Sequence, residues 1–208
     1  NYDFSPIYEL DTVMYLQCNT GYGGRLSYNG EIDSLRVNGL EFLSVVDDKY
    51  NINYNRIETL KSLSIGEYKP KSRDLTELFS SKTLDTLWMM KAQIKSLEGI
   101  DQSNKMQCVY LHRSPMLENI NSLSKVSKTL KALRIEKCPK IRDFSVLAEL
   151  KNLELLELSG SNVLPDLGFL KSMKNLKTFI FDMNVLDGNL SNCLGLSYVY
   201  SEKSRKHY

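Results

Sequence analysis

An aliphatic spacing that returns every 22 to 24 residues is the strongest constraint on this chain. Leu84, Leu87 and Met89 set the pattern of apolar, two variable, apolar, one variable, apolar. The same slots hold Met106, Val109 and Leu111, then Leu130, Leu133 and Ile135. They return with Leu153, Leu156 and Leu158, and with Leu176, Phe179 and Phe181. The starts are 22, 24, 23 and 23 residues apart. Alternation across the second and third slots is a strand signal, because strand side chains point to opposite faces in turn. A unit this short cannot bury its own apolar face, so successive units must stack into one continuous core.

Each unit continues in a regular way. Eight residues after the first slot stand Ala92, Ser114, Cys138, Ser161 and Asn184. Small or polar residues there suit a tight exit from the strand, where Ser or Asn can bond loop backbone. A second apolar cluster follows, as in Ile141, Phe144, Leu147 and Leu150. Its spacing of three predicts a helix or a 3₁₀ turn on the far side of the coil. Towards the N-terminus, Leu60, Leu63 and Ile65 keep the register. Ile32, Leu35 and Val37 are expected to form the strand before it, with an enlarged polar loop over 47–58. Val13, Leu16 and Cys18 are expected to form the first strand, and Leu196 and Val199 to open a last, incomplete unit. Terminal units of a stack are expected to be atypical, since one face meets water.

The stretch LKALRIEKCPKIRDFSVLAELKNLELLELSGSNVLPDLGFLKSMKNLKTFIFDMN, Leu130 to Asn184, resembles the bacterial leucine-rich repeat family with internalin-like short repeats. The likeness is carried by consecutive units in register over 84–190. It implies an α/β fold: a right-handed solenoid with a parallel concave β-sheet and short helices or 3₁₀ turns on the convex side. Right-handed crossover is also the physical default. The whole chain, 1–208, then reads as a single solenoid. Residues 1–59 are irregular N-terminal repeats or a cap, 60–190 regular repeats, and 191–208 a last partial repeat.

The resemblance implies that partners dock on the concave sheet face. Strand alternation assigns side chains to it. The residue between the last two apolar slots points away from the core, giving Arg36, Ser64, Trp88, Tyr110, Arg134, Glu157, Ile180 and Tyr200. Two residues further the same face presents Asn38, Gly66, Met90, His112, Glu136, Ser159, Asp182 and Glu202. The expected partner-binding set is Trp88, Met90, Tyr110, His112, Arg134, Glu136, Glu157, Ile180, Asp182 and Tyr200. The chain's single tryptophan falls in this row beside tyrosine and arginine, the types that dominate binding hot spots. An exposed aromatic can also serve as cover that stabilises cross-strand packing.

Signals for chemistry are weak. The two histidines, His112 and His207, are far apart, and no His/Cys/Asp cluster has metal-ligand spacing. Cys108 and His112 share a strand but lack a third partner for nucleophilic catalysis. Gly21, Gly23 and Gly24 lack the Gly-Lys-Ser/Thr ending of a phosphate loop. No catalytic residue, metal or cofactor is therefore expected. The net charge of +2 points to no strong overall field, but the charge is unevenly spread. Residues 1–60 carry 4 Lys/Arg against 9 Asp/Glu, and residues 101–151 carry 10 against 5.

These features predict a non-enzymatic module that binds another protein. By analogy, a bacterial immunity protein that neutralises a cognate toxin fits the size and composition. An exported, internalin-like adhesin fragment is the alternative, and nucleic-acid binding through the basic block 125–142 is the weaker one. Cys18, Cys108, Cys138 and Cys193 are widely spaced, which favours reduced thiols and a cytoplasmic protein over a secreted or cell-surface one. No apolar run reaches the ~20 residues of a membrane helix, and the oligomeric state is not written in the sequence.

Overall fold

The computed structural model describes residues 9–10, 12–18, 37, 39–46, 57–78 and 82–201. Its strands are β1 (Tyr15–Cys18), β2 (Phe42–Val46), β3 (Ser62–Gly66), β4 (Thr86–Met90), β5 (Cys108–His112) and β6 (Ala132–Glu136). They continue with β7 (Leu155–Ser159), β8 (Val163–Leu164), β9 (Thr178–Phe181), β10 (Asn184–Val185) and β11 (Tyr198–Ser201). Nine form one sheet in the order β1-β2-β3-β4-β5-β6-β7-β9-β11, and every neighbouring pair is parallel. Sheet order follows chain order, as stacking of consecutive coils requires. The return path of each later coil is a short 3₁₀ turn, for example Asn121–Val126, Ser145–Glu149 and Gly168–Ser172. No α-helix occurs among the described residues.

Pairing is in register with the repeat. Leu63, Leu87, Val109, Leu133, Leu156 and Phe179 lie opposite one another across successive strands. Ile65, Met89, Leu111, Ile135, Leu158 and Phe181 form a second row, and both rows are buried. From the convex side Ile120, Leu123, Phe144, Leu147 and Leu170 close over them. Each fully buried aliphatic side chain contributes about 1.5–3 kcal/mol. At the C-terminal end this protection stops: Val199 occupies the same inward slot yet is 41% exposed.

The strand exit is equally regular. Glu67, Lys91, Arg113 and Lys137 all adopt a left-handed backbone, with φ between 52° and 58°. That conformation is costly for residues with a side chain. The turn it makes carries each amide to the last carbonyl of the next strand. Lys91 N–H donates to His112 O at 2.8 Å, Arg113 N–H to Glu136 O at 2.8 Å, and Lys137 N–H to Ser159 O at 2.8 Å. The slot below the turn is filled by Ala92, Ser114 and Cys138, each wholly buried.

Two expectations are corrected here. Ser161 and Asn184 do not occupy that buried slot in their coils; both are exposed. Gly160 at φ 136° shifts the path, and Asn162 is the buried residue instead. Asn162 Nδ2 donates to Cys138 O at 3.1 Å and to Ile141 O at 2.7 Å, satisfying carbonyls of the preceding coil. Asn184 instead begins β10, which pairs with β8 in a second two-stranded parallel sheet.

The second correction concerns the strand before β3. It is β2, carried by Leu40, Leu43 and Val45, and not the segment of Ile32, Leu35 and Val37. β1 pairs directly with β2, so in the sheet of the described residues no strand lies between them. The unit from Leu40 to Leu60 is 20 residues long, shorter than its successors. Most of 47–58 lies outside the described residues, as do residues 31–36 and Asn38. β1 itself forms where Val13, Leu16 and Cys18 predicted it.

Replacing Leu133 by Ala is expected to destabilise the fold by about 2–5 kcal/mol in urea unfolding, the range for cavities in packed cores. Arg134→Ala, one residue away on the open face, should cost no more than about 1 kcal/mol. Gly160→Ala should also destabilise, because its Cβ would stand 3.3 Å from the Lys137 backbone at a φ that L-residues avoid.

Candidate protein-docking face

Because the strands are in register, the outward side chains form continuous rows. The central row runs Gln17, Ser44, Ser64, Trp88, Tyr110, Arg134, Glu157, Ile180 and Tyr200. The next runs Val46, Gly66, Met90, His112, Glu136 and Ser159. Ser44 and Val46 thus take the places that the sequence reading gave to Arg36 and Asn38.

Side-chain size steps up sharply along the central row. Ser44 and Ser64 are small, and Gly66 has no side chain; then Trp88 and Tyr110 rise as a wall. The step leaves a hollow of about 470 Å³ on the sheet. It is lined by seven of the ten expected partner-binding residues: Trp88, Met90, Tyr110, His112, Arg134, Glu136 and Glu157. Ile180, Asp182 and Tyr200 lie on later coils and do not line it. Asp182 has an internal task, accepting the Gly160 N–H at 2.5 Å. Sequence reasoning missed Gln17 and Val46, which complete the lining. The signal that could have found Val46 was the Leu40-Leu43-Val45 unit in the correct register.

The wall is held in place by its own contacts. Trp88 and Tyr110 rings lie 4.0 Å apart, centroid to centroid, tilted by 36°. Such aromatic pairs contribute about 0.5–1.5 kcal/mol beyond area burial. The Arg134 guanidinium sits 5.1 Å from the Tyr110 ring centroid, and Arg134 Nε lies 3.3 Å from Glu157 Oε2. Burial beneath these neighbours pushes the Tyr110 phenol above its ordinary pKa, and nearby Cys108 adds to the effect. His112 Nε2 stands 3.3 Å from Glu136 Oε1, and Lys137 Nζ reaches the same oxygen at 3.1 Å. Trp88 stays 45% exposed and Met90 39% exposed despite this packing. Those two apolar side chains therefore retain area that a partner could cover, on a wall whose rotamers are already restrained.

No group of three or more His, Cys, Asp or Glu among the described residues is placed to hold a metal ion. No helix among them is long and apolar enough to cross a membrane. Cys108 and Cys138 are free thiols. Cys138 is the more shielded, and burial raises its pKa to about 11. Its thiolate, the reactive form, is thus suppressed near neutrality.

Iodoacetamide at pH 8 should leave Cys138 unmodified in the folded protein and label it once urea unfolds the chain; mass spectrometry reads the result. The folded state holds the thiol proton more tightly than the unfolded one, so stability should fall as pH rises from about 9 to about 11. Rapid labelling of native Cys138 would contradict its assigned place beneath the strand exit.

Solved structures share this architecture. Internalin C2 of Listeria monocytogenes str. 4b F2365 aligns with a TM-score of 0.64 at 20% sequence identity, covering 82% of this chain and 84% of that one. Internalin F of the same strain aligns with a TM-score of 0.63 at 20% identity, covering 98% of this chain and 60% of that one. The chain therefore spans less than two thirds of the length of internalin F. No protein-family model matches the sequence, and no curated protein matches it. At this identity the likeness is one of fold: the chain folds as an internalin-like leucine-rich repeat solenoid, an architecture commonly used to bind other proteins.

Proposed function

We propose that the protein is a non-enzymatic binding module that captures another protein on its concave sheet. The observation that carries this reading is the cluster of Trp88, Tyr110 and Arg134 around the hollow. It combines the residue types enriched at binding hot spots with restrained geometry and remaining exposure. Trp88, Met90 and Tyr110 are the anchors in this reading. His112, Arg134, Glu136 and Glu157 set orientation by charge, and Ile180, Asp182 and Tyr200 extend the contact along later coils.

The narrower reading is a bacterial immunity protein that binds and neutralises one cognate toxin in the cytoplasm. Free thiols at Cys108 and Cys138 suit a reducing compartment and so support it. The second reading is an exported adhesin fragment, favoured by the fold shared with internalins. The two differ in what is captured: a protein made by the same bacterium, or a surface protein of another cell.

Affinity capture from the native host and from candidate target cells, with quantitation of each captured protein, separates them. With the purified partner, Trp88→Ala should weaken binding by about 2 kcal/mol or more, roughly 30-fold, as expected for an anchor residue. Unchanged affinity for both Trp88→Ala and Tyr110→Ala would remove this face as the docking surface.

A further inference from the structure

The left-handed strand exits do more than close the turn. Each places an outward residue at the same point of its coil, directly after the row that borders the hollow. In three successive coils that residue is basic: Lys91, Arg113 and Lys137, all exposed. They follow Met90, His112 and Glu136, which line the hollow. Backbone bonds from Lys91 to His112 and from Arg113 to Glu136 hold these coils in step, at the spacing of about 5 Å set by neighbouring strands. These turns and the one before them, which opens on Glu67, are basic in total, although 113–119 balances Arg113 against Glu118. Across 67–73, 91–97, 113–119 and 137–143 there are nine Lys/Arg against three Asp/Glu. Lys91 lies 3.7 Å from Glu67, and Lys137 lies 3.1 Å from Glu136, which it shares with His112. Arg113 makes no ion pair among the described residues. A positive ledge therefore runs along one side of an apolar hollow.

We propose that the segment docking here is an acidic stretch of polypeptide. One apolar side chain enters the hollow against Trp88, Met90 and Tyr110, and neighbouring carboxylates lie over Lys91, Arg113 and Lys137. This rests on the reading of the concave sheet as a protein-docking face and adds the charge of what docks. Complementary charge on a rim steers encounter and fixes the register of the bound chain. A nucleic acid fits less well, because its continuous phosphates would pass beside Glu136 and Glu157 inside the hollow.

The test pans a phage-displayed library of short random peptides against the intact chain. Enriched sequences should carry an aromatic or aliphatic residue flanked by Asp or Glu. A synthetic peptide of that consensus should bind the wild-type chain in fluorescence anisotropy, more weakly as salt rises. The double variant Arg113→Glu, Lys137→Glu should lose about tenfold in affinity, mainly through slower association. Trp88→Ala should weaken the same peptide independently. Neutral or basic peptides that depend on Trp88 would overturn the acidic segment while leaving the docking face intact. Acidic peptides indifferent to both Trp88→Ala and Tyr110→Ala would sink the face itself. No enrichment, or tighter binding of a single-stranded oligonucleotide than of any peptide, would overturn the proposal.

Discussion

The hydrogen-bonded step from one coil to the next is the constraint on which the rest depends. Each strand of the main sheet pairs in parallel with the next one in the sheet, and the exit amides of Glu67, Lys91, Arg113 and Lys137 reach the last carbonyl of the neighbouring strand. This fixes register, and register decides everything about the side chains. A slip of one residue would turn Leu87, Val109, Leu133 and Leu156 outward and bring Trp88, Tyr110, Arg134 and Glu157 in. The buried rows resist that slip through the apolar area they would expose. Left-handed Glu67, Lys91, Arg113 and Lys137 are the local cost of keeping the step constant, and burial around Ala92, Ser114 and Cys138 offsets it.

The same regularity produces the open concave face. A parallel sheet normally has both faces covered; here the core covers one, and the other is left to its own side chains. A row of small residues followed by Trp88 and Tyr110 makes a step, and the step makes a hollow. Arg134 braces the wall by lying against Tyr110 and Glu157 at once. The aromatic pair has two structural aspects. It is cross-strand packing, and it is an exposed apolar edge beside a positive ledge.

Much of this could be read from the chain, and the misreadings have physical causes. The period over 84–190 located β4 to β7 and β9, because five consecutive units agreed in register. The outward row follows from strand alternation alone, which puts Trp88, Tyr110, Arg134 and Glu157 on one face. The N-terminal coil was misplaced because Ile32-Leu35-Val37 and Leu40-Leu43-Val45 both satisfy the pattern. The choice between them is made by pairing with β3, a contact between coils that no local pattern contains. Ser161 was misassigned because Gly160 before it takes a backbone path closed to other residues, and Asn184 because it begins β10. The hollow was invisible for another reason: it depends on the size difference between neighbouring strands, not on any single unit. Ser64, Gly66 and Trp88 are far apart in sequence and become neighbours only through register.

The chain's single tryptophan offers the most direct check on this account, with no substitution needed. Trp88 should show the red-shifted fluorescence of a partly solvated indole, and acrylamide should quench it readily in the native protein. A blue-shifted emission shielded from acrylamide until the chain unfolds would place the indole inside the protein. The assignment of inward and outward rows, and the docking face built on it, would then be wrong.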